Sequence, residues 1–132
     1  SNSVSGAFEE KLATQGVSVA EWVVLRLIHG DASMPASAIA EATGMTRGAI
    51  SKIVDRLAGR GLVERSPLPG DGRARILKLT AKGARLLPVL AALADANDAE
   101  FFHGLPKVDR TALMRILKDI ATRKRLKTIP VD

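Results

Sequence analysis

The apolar residues of the chain recur mostly every three or four positions, which predicts helices, and alternate with polar residues in one stretch, which predicts a β-hairpin. Ser18 and Thr46 are typical helix-opening residues, and Gly30–Asp31 and Gly104 are expected to end helices. The predicted helices span residues 7–13, 19–29, 36–43, 47–58, 81–103 and 107–126, and the predicted strands span residues 62–65 and 75–79. The expected fold class is therefore mainly α with a small β-hairpin.

Two of the predicted helices are joined by a tight turn at Gly44. The first carries Ala40 four positions before that glycine, where a small side chain lets the helices approach. The second has an apolar inner face with helical spacing, made of Ile50, Ile53, Val54 and Leu57. This is the helix-turn-helix arrangement in which the second helix enters the major groove of DNA, although a plain helical hairpin with a basic surface has the same pattern.

The opposite face of the second helix is polar and basic, as a helix that reads base edges requires. The residues expected to approach base edges are Thr46, Arg47, Gly48 and Ser51. The residues expected to contact phosphates are Ser37, Lys52 and Arg56, with Arg60 as a weaker candidate. Gly48 weakens a helix by about 1 kcal/mol relative to alanine, and close approach of the backbone to DNA would be one reason for it.

A hairpin follows the helix pair, with a dense turn signal at residues 67–72. A helix-turn-helix followed by a hairpin is a winged helix, whose basic wing tip can reach an adjacent minor groove. Arg73 is expected to enter that groove, with Arg75 in support. Asp71 is expected to hold the tip rigid by pairing either with Arg73 or with a neighbouring amide.

The charge is concentrated in this middle segment. The chain carries a formal net charge of +6. Residues 46–85 hold ten basic and three acidic side chains, whereas residues 1–45 are net negative. A basic block on a folded segment is typical of nucleic-acid binding, although a solvated basic surface gives the same count.

Composition excludes several kinds of site. Without cysteine the chain has no disulfide framework, no thiolate metal site and no cysteine redox switch. His29 and His103 have no metal-ligand spacing beyond a single pairing with Glu100, so no metal or other cofactor is expected. Phosphate loops, His-Glu-x-x-His and serine elbows are absent from the sequence, which argues against an enzyme. With no apolar run long enough to cross a bilayer and no signal peptide, a cytoplasmic location is expected.

The middle of the chain resembles the MarR family of winged-helix transcriptional regulators. The stretches that carry the resemblance are residues 45–57 (MTRGAISKIVDRL), 60–65 (RGLVER), 67–74 (PLPGDGRA) and 77–83 (LKLTAKG). The most specific of them is the wing pattern Asp-x-Arg-Ala, followed by x-Leu-Thr-x-x-Gly. The resemblance covers about residues 17–126.

The resemblance implies a homodimer that binds pseudo-palindromic duplex DNA, often as a repressor. Many members of the family release DNA when a small-molecule effector binds, so the resemblance also implies an effector. It implies one MarR-like domain over residues 1–132, with the winged helix-turn-helix at residues 18–80 and helices for dimerisation at residues 4–16 and 81–127. It also implies that Arg73 is the minor-groove arginine and that Asp55 anchors the wing to the recognition helix through an arginine. Members that sense oxidants through cysteine are excluded.

Two features depart from the family pattern. Many members have a basic residue where Gly72 stands, so this wing is one charge lighter. About 16 residues precede the turn at residues 17–18, fewer than the family's first helix usually needs, whether the N-terminus is naturally short or trimmed. The effector-binding residues, and the choice between repressor and activator, stay open at this point.

Dimerisation is also expected because the last two predicted helices carry broad apolar faces that a small core with a hairpin cannot cover. The residues expected to meet a partner chain are Leu86, Leu87, Leu90, Leu93, Phe101, Phe102, Leu113, Ile116, Leu117 and Ile120. An alternative function is a winged-helix protein-interaction module that does not bind DNA. Basic residues on both the recognition helix and the wing tip favour duplex DNA.

Overall fold

The computed structural model describes the backbone of residues 4–29 and 32–128 and the side chains of residues 6–29 and 32–123. In chain order the elements are α1 (Val4–Ala13), α2 (Val19–Leu27), β1 (Met34–Pro35), α3 (Ala36–Thr43), α4 (Arg47–Gly59), β2 (Val63–Leu68), β3 (Asp71–Leu79), α5 (Ala81–His103) and α6 (Lys107–Thr128). The expected fold class, mainly α with a small β-hairpin wing, is confirmed. None of the described helices is long and apolar enough to cross a membrane.

Side-chain caps begin α2 and α4. Ser18 Oγ accepts a hydrogen bond from the Glu21 amide at 3.1 Å, and Glu21 Oε1 accepts one from the Ser18 amide at 2.9 Å, so α2 opens with the predicted capping box. Thr46 Oγ1 accepts from the Ala49 amide at 3.1 Å and caps α4. Each bond satisfies an amide that the first helical turn leaves without a partner. The predicted stop of α2 at Gly30–Asp31 lies outside the described residues.

The sheet has the strand order β1-β3-β2, and neighbouring strands are antiparallel. β1 pairs with Leu77 and Ile76 of β3, and it was not predicted because two residues are too few to show an alternating pattern. β2 and β3 extend beyond the predicted strands, up to the pairing of Leu68 with Asp71 past a bulge. The prolines and glycines at 67–72 indicated a longer turn than the one that forms.

The described chain divides into two compact units, one ending at Asp95 and the other beginning at Ala96. The first unit has an apolar core that includes Trp22, Leu25, Ile28, Ile39, Ile50, Leu57, Leu62, Leu77 and Leu90. Leu90 is fully buried in this core, so its assignment to a dimer interface was wrong, because a side chain without exposed surface cannot meet a partner. The neighbouring Leu86, Leu87 and Leu93 are partly buried against the same core.

The base of the hairpin is held against the start of α5 by a compact set of hydrogen bonds. Thr80 Oγ1 donates to Gly61 O at 2.5 Å, and the Thr80 amide donates to Leu62 O at 3.1 Å. Thr80 Oγ1 also accepts from the Gly83 amide at 3.1 Å and so caps α5. A Cβ at Gly83 would lie 2.1 Å from Leu62 O, a backbone atom that cannot move without breaking its bond to Thr80. This junction therefore requires glycine at position 83.

We expect Gly83→Ala to destabilise the fold by about 1–3 kcal/mol, because the added methyl group pushes α5 away from the hairpin. Thermal or denaturant unfolding measures the loss. Gly59→Ala is the matched control, since a Cβ at Gly59 meets no described atom within 4 Å and alanine favours a helix. Equal stability of the Gly83→Ala variant and the wild-type chain would contradict this description of the junction.

Candidate nucleic-acid interface

The turn between α3 and α4 fixes the angle at which the two helices meet. Gly44 ends α3 in the left-handed conformation, with φ of 75°, and its amide donates to Ala40 O at 2.9 Å. Thr43 Oγ1 donates to Ile39 O at 2.8 Å and accepts from the Met45 amide at 3.2 Å. Glycine adopts this conformation without the steric penalty that a Cβ brings, and the chain can therefore reverse within three residues before α4 begins.

α4 presents its two faces to different surroundings. Ile50, Ile53, Val54 and Leu57 are buried, between 0% and 4% exposed. The side of the helix that faces solvent carries Arg47, Gly48, Ser51, Lys52, Asp55 and Arg56. Burial of the apolar stripe thus fixes the rotation of the helix and turns every predicted DNA-contacting residue of α4 outward.

A cleft of about 430 Å³ lies between the start of α3, the outer side of α4 and the wing, which is the hairpin of β2 and β3. Five of the predicted DNA-contacting residues line it, namely Ser37, Arg47, Ser51, Arg73 and Arg75. Thr46, Gly48, Lys52 and Arg56 are exposed outside its lining. The cleft therefore joins residues that are up to 38 positions apart in sequence, from Ser37 to Arg75.

Arg65 also lines the cleft and was missed by the sequence analysis. Its Nη2 donates to Asp55 Oδ1 at 2.5 Å and so joins β2 to α4. The expectation that Asp55 pairs with an arginine left the partner open, because no local spacing relates a helix residue to a strand residue ten positions later. Both side chains are well exposed, so the ion pair contributes at most about 1 kcal/mol to stability and serves mainly to set the wing against the helix.

The tip of the wing is shaped by Asp71. Its Oδ1 accepts hydrogen bonds from the amides of Arg73 at 2.9 Å and Ala74 at 3.2 Å. These two bonds, with the nearby charge of Arg75, lower the pKa of the Asp71 carboxyl below its usual value. Asp71 was expected to pair either with the Arg73 side chain or with a neighbouring amide, and in the structure its partners are amides. The carboxylate therefore keeps its charge, and its two bonds to the backbone of the tip, down to a lower pH than an ordinary aspartate does.

The two arginines of the wing tip have different surroundings. Arg75 Nη1 turns back toward the wing and donates to Ala74 O at 3.2 Å and to Gly72 O at 3.4 Å. Arg73 is exposed, and its guanidinium has no hydrogen bond or ion pair with the described residues. Arg75 thus supports the backbone of the tip, while Arg73 is available to an external partner.

Arg60, the weaker of the phosphate candidates, makes hydrogen bonds inside the fold. Its Nη1 donates to Gly16 O at 2.6 Å and its Nη2 donates to Gln15 O at 3.1 Å. The guanidinium therefore fastens the turn between α1 and α2 to the end of α4. Two of its N–H groups are thus used within the fold, which makes Arg60 a poorer phosphate candidate than Lys52 or Arg56.

Among the described residues, no group of three or more histidine, aspartate or glutamate side chains lies close enough together to hold a metal ion. His29 Nδ1 lies 2.7 Å from Arg26 O, in the last turn of α2.

Comparisons with known proteins agree with this geometry. The model of the MarR family matches residues 15–74. A MarR-family transcriptional regulator from Rhodococcus sp. RHA1 is 30% identical, with a TM-score of 0.74 over 89% of this chain and 84% of that one. A mutant MarR from E. coli complexed with operator DNA is 26% identical, with a TM-score of 0.75 over 89% and 84%.

A third solved structure is that of CouR from Rhodococcus jostii RHA1 bound to p-coumaroyl-CoA. It is 30% identical, with a TM-score of 0.69 over 89% of this chain and 83% of that one. The Rhodococcus sp. RHA1 relative is a transcriptional regulator, and the fold of this chain is likewise that of a transcriptional regulator and not of an enzyme. The chain therefore belongs to the MarR family of winged helix-turn-helix transcriptional regulators.

Proposed function

We propose that the protein represses transcription by binding pseudo-palindromic duplex DNA as a homodimer, and that a small-molecule effector releases it. The observation that carries the proposal is the cleft that unites the outer side of α4, the start of α3 and the wing. A reading helix flanked by a basic wing fits two successive grooves of a duplex. The structure of a MarR protein with operator DNA supports the same use of this fold.

α4 is the element that reads the major groove, which is wide enough to admit one α-helix. The residues that approach base edges are Thr46, Arg47, Gly48 and Ser51, all exposed at the beginning of the helix. The Thr46 oxygen is occupied by its cap, but its hydroxyl hydrogen is available to donate to a base or a phosphate. Sequence preference then depends on the first two turns of α4.

Phosphate contacts flank this reading surface. Lys52 and Arg56 lie further along the exposed side of α4, and Ser37 lies in the first turn of α3. Pro35 gives α3 no side-chain cap, so the first amides of this helix are suited to a phosphate oxygen. Arg73 enters the minor groove, while Asp71 and Arg75 keep the tip in shape and Asp55 keeps the wing beside α4.

Dimerisation rests on the apolar stripe of α6 and the end of α5. Phe101, Ile116, Leu117 and Ile120 are between 43% and 52% exposed. Phe102 and Leu113 are half-buried on the same two helices, and Leu86 and Leu87 remain candidates further back on α5. Several large apolar side chains left exposed on one pair of helices are typical of protein interfaces. A twofold dimer places its two reading helices about 34 Å apart, one turn of DNA.

The effector part of the proposal is supported by CouR, which was solved with p-coumaroyl-CoA. Repression and release follow from linkage: a ligand that binds the DNA-free form more tightly lowers the affinity for DNA by the same factor. A regulator of this kind acts where the DNA is, in the cytoplasm.

The direct test is a salt titration of binding to duplex selected from a random library and to unselected duplex, with sedimentation of the protein. A regulator binds as a dimer, prefers the selected sequence and loses affinity steeply with salt. The interaction-module alternative predicts no sequence preference at any salt concentration.

We expect Arg73→Ala to weaken binding to the selected duplex by about 1–3 kcal/mol, roughly five- to 150-fold, because the minor-groove contact is lost. Fluorescence anisotropy measures the change. Arg115→Ala removes the same charge from α6 and is the control. If both variants bind equally well, the wing tip does not take part in recognition.

We expect Lys52→Ala to weaken binding to all duplex sequences alike and to reduce the slope of log K against log salt by about one unit, since one phosphate contact releases about one counterion. Arg47→Ala provides the comparison, because loss of a base contact lowers sequence preference more than the salt slope. An unchanged slope for Lys52→Ala would mean that Lys52 does not contact a phosphate.

A further inference from the structure

Gly48 has no structural role that the described chain reveals. It lies in the first turn of α4 with an ordinary helical backbone, unlike Gly44 or Gly61, which have positive φ values. A Cβ at position 48 would meet no described atom within 4 Å apart from its chain neighbours and the nearby backbone of its own helix. Gly83 is different, because a Cβ at that position would lie 2.1 Å from Leu62 O, so only glycine fits there. Glycine at position 48 therefore lowers helix stability without allowing any contact inside the described fold.

Gly48 lies on the side of α4 directly opposite the buried face. At about 100° per residue, Gly48 points about 170° away from the mean direction of the buried face formed by Ile50, Ile53, Val54 and Leu57. Arg47 precedes it, and Ser51 and Lys52 follow one turn later on either side of it. The outer side of α4 thus has polar side chains around a bare patch of backbone, at the end of the helix that enters the groove first.

We propose that this bare patch is a specificity-determining site, where the α4 backbone at Gly48 packs directly against the edge of a base pair in the major groove. The proposal rests on the DNA-binding function argued above. A methyl group at this point would occupy the space of the base edge and hold the helix away from the groove floor. Arg47 and Ser51 would then lose their base contacts together, while phosphate contacts, made by longer side chains at the rim, would persist.

The proposal predicts that one substitution has opposite effects on stability and on recognition. We expect Gly48→Ala to raise the Tm of the free protein by about 2–4 °C, because alanine favours the helix and nothing obstructs its methyl group. We expect the same variant to bind the selected duplex at least tenfold more weakly, because the base contacts of Arg47 and Ser51 are lost together, with little change on unselected duplex. Gly59→Ala, in the same helix at a position equally free of neighbours, should raise the Tm without changing DNA affinity.

Thermal unfolding and anisotropy titrations on both duplexes measure these effects. The proposal is overturned if Gly48→Ala keeps wild-type affinity and sequence preference, or if it lowers the Tm, since glycine would then be needed by the fold. A wild-type protein without any sequence preference would overturn the proposed function itself. If the wild-type protein prefers the selected duplex and the Gly48→Ala variant binds it equally well, only the role of Gly48 is overturned.

Discussion

The burial of one face of α4 is the constraint on which the rest of the interface depends. Ile50, Ile53, Val54 and Leu57 are almost without exposed surface, and each buried aliphatic side chain contributes about 1.5–3 kcal/mol relative to an exposed one. Rotating the helix to hide its polar side would expose all four, at a cost far above the worth of any surface contact. The core therefore determines that Arg47, Gly48 and Ser51 face outward, where a duplex can be read.

The wing is placed by contacts that are individually weak. The ion pair of Asp55 with Arg65 and the hydrogen bonds of Asp71 to two amides are solvent-exposed, so each contributes little to stability. Their effect is geometric, because they restrict the conformations of the wing tip and so lower the entropy cost of the DNA contact proposed for it. Stability comes instead from the hairpin base, where Thr80 and Gly83 lock the sheet to α5.

The helices, the helix-turn-helix and the wing could be predicted because caps, apolar spacing and turn residues are local signals, as at Ser18 and Thr46. β1 could not, since its two residues form a strand only through pairing with β3. The sequence does not reveal the roles of Arg60, Arg65 and Leu90, because these roles depend on tertiary contacts. The spacing of a basic residue is the same whether it binds a phosphate, a carbonyl or a carboxylate. The role of Gly48 was suggested by the sequence, but its empty surroundings appear only in the folded chain.

The most direct test of the central claim, that α4 and the wing read adjacent grooves, is DNA cleavage from single attached reagents. The chain has no cysteine, so Ser51→Cys and Gly72→Cys each give one site for an iron-chelate label. We expect the α4 label to cut inside each of two half-sites and the wing label to cut about 5 base pairs, half a helical turn, away from it. Cuts at the same positions from both labels, or cuts spread evenly along the duplex, would contradict the claim.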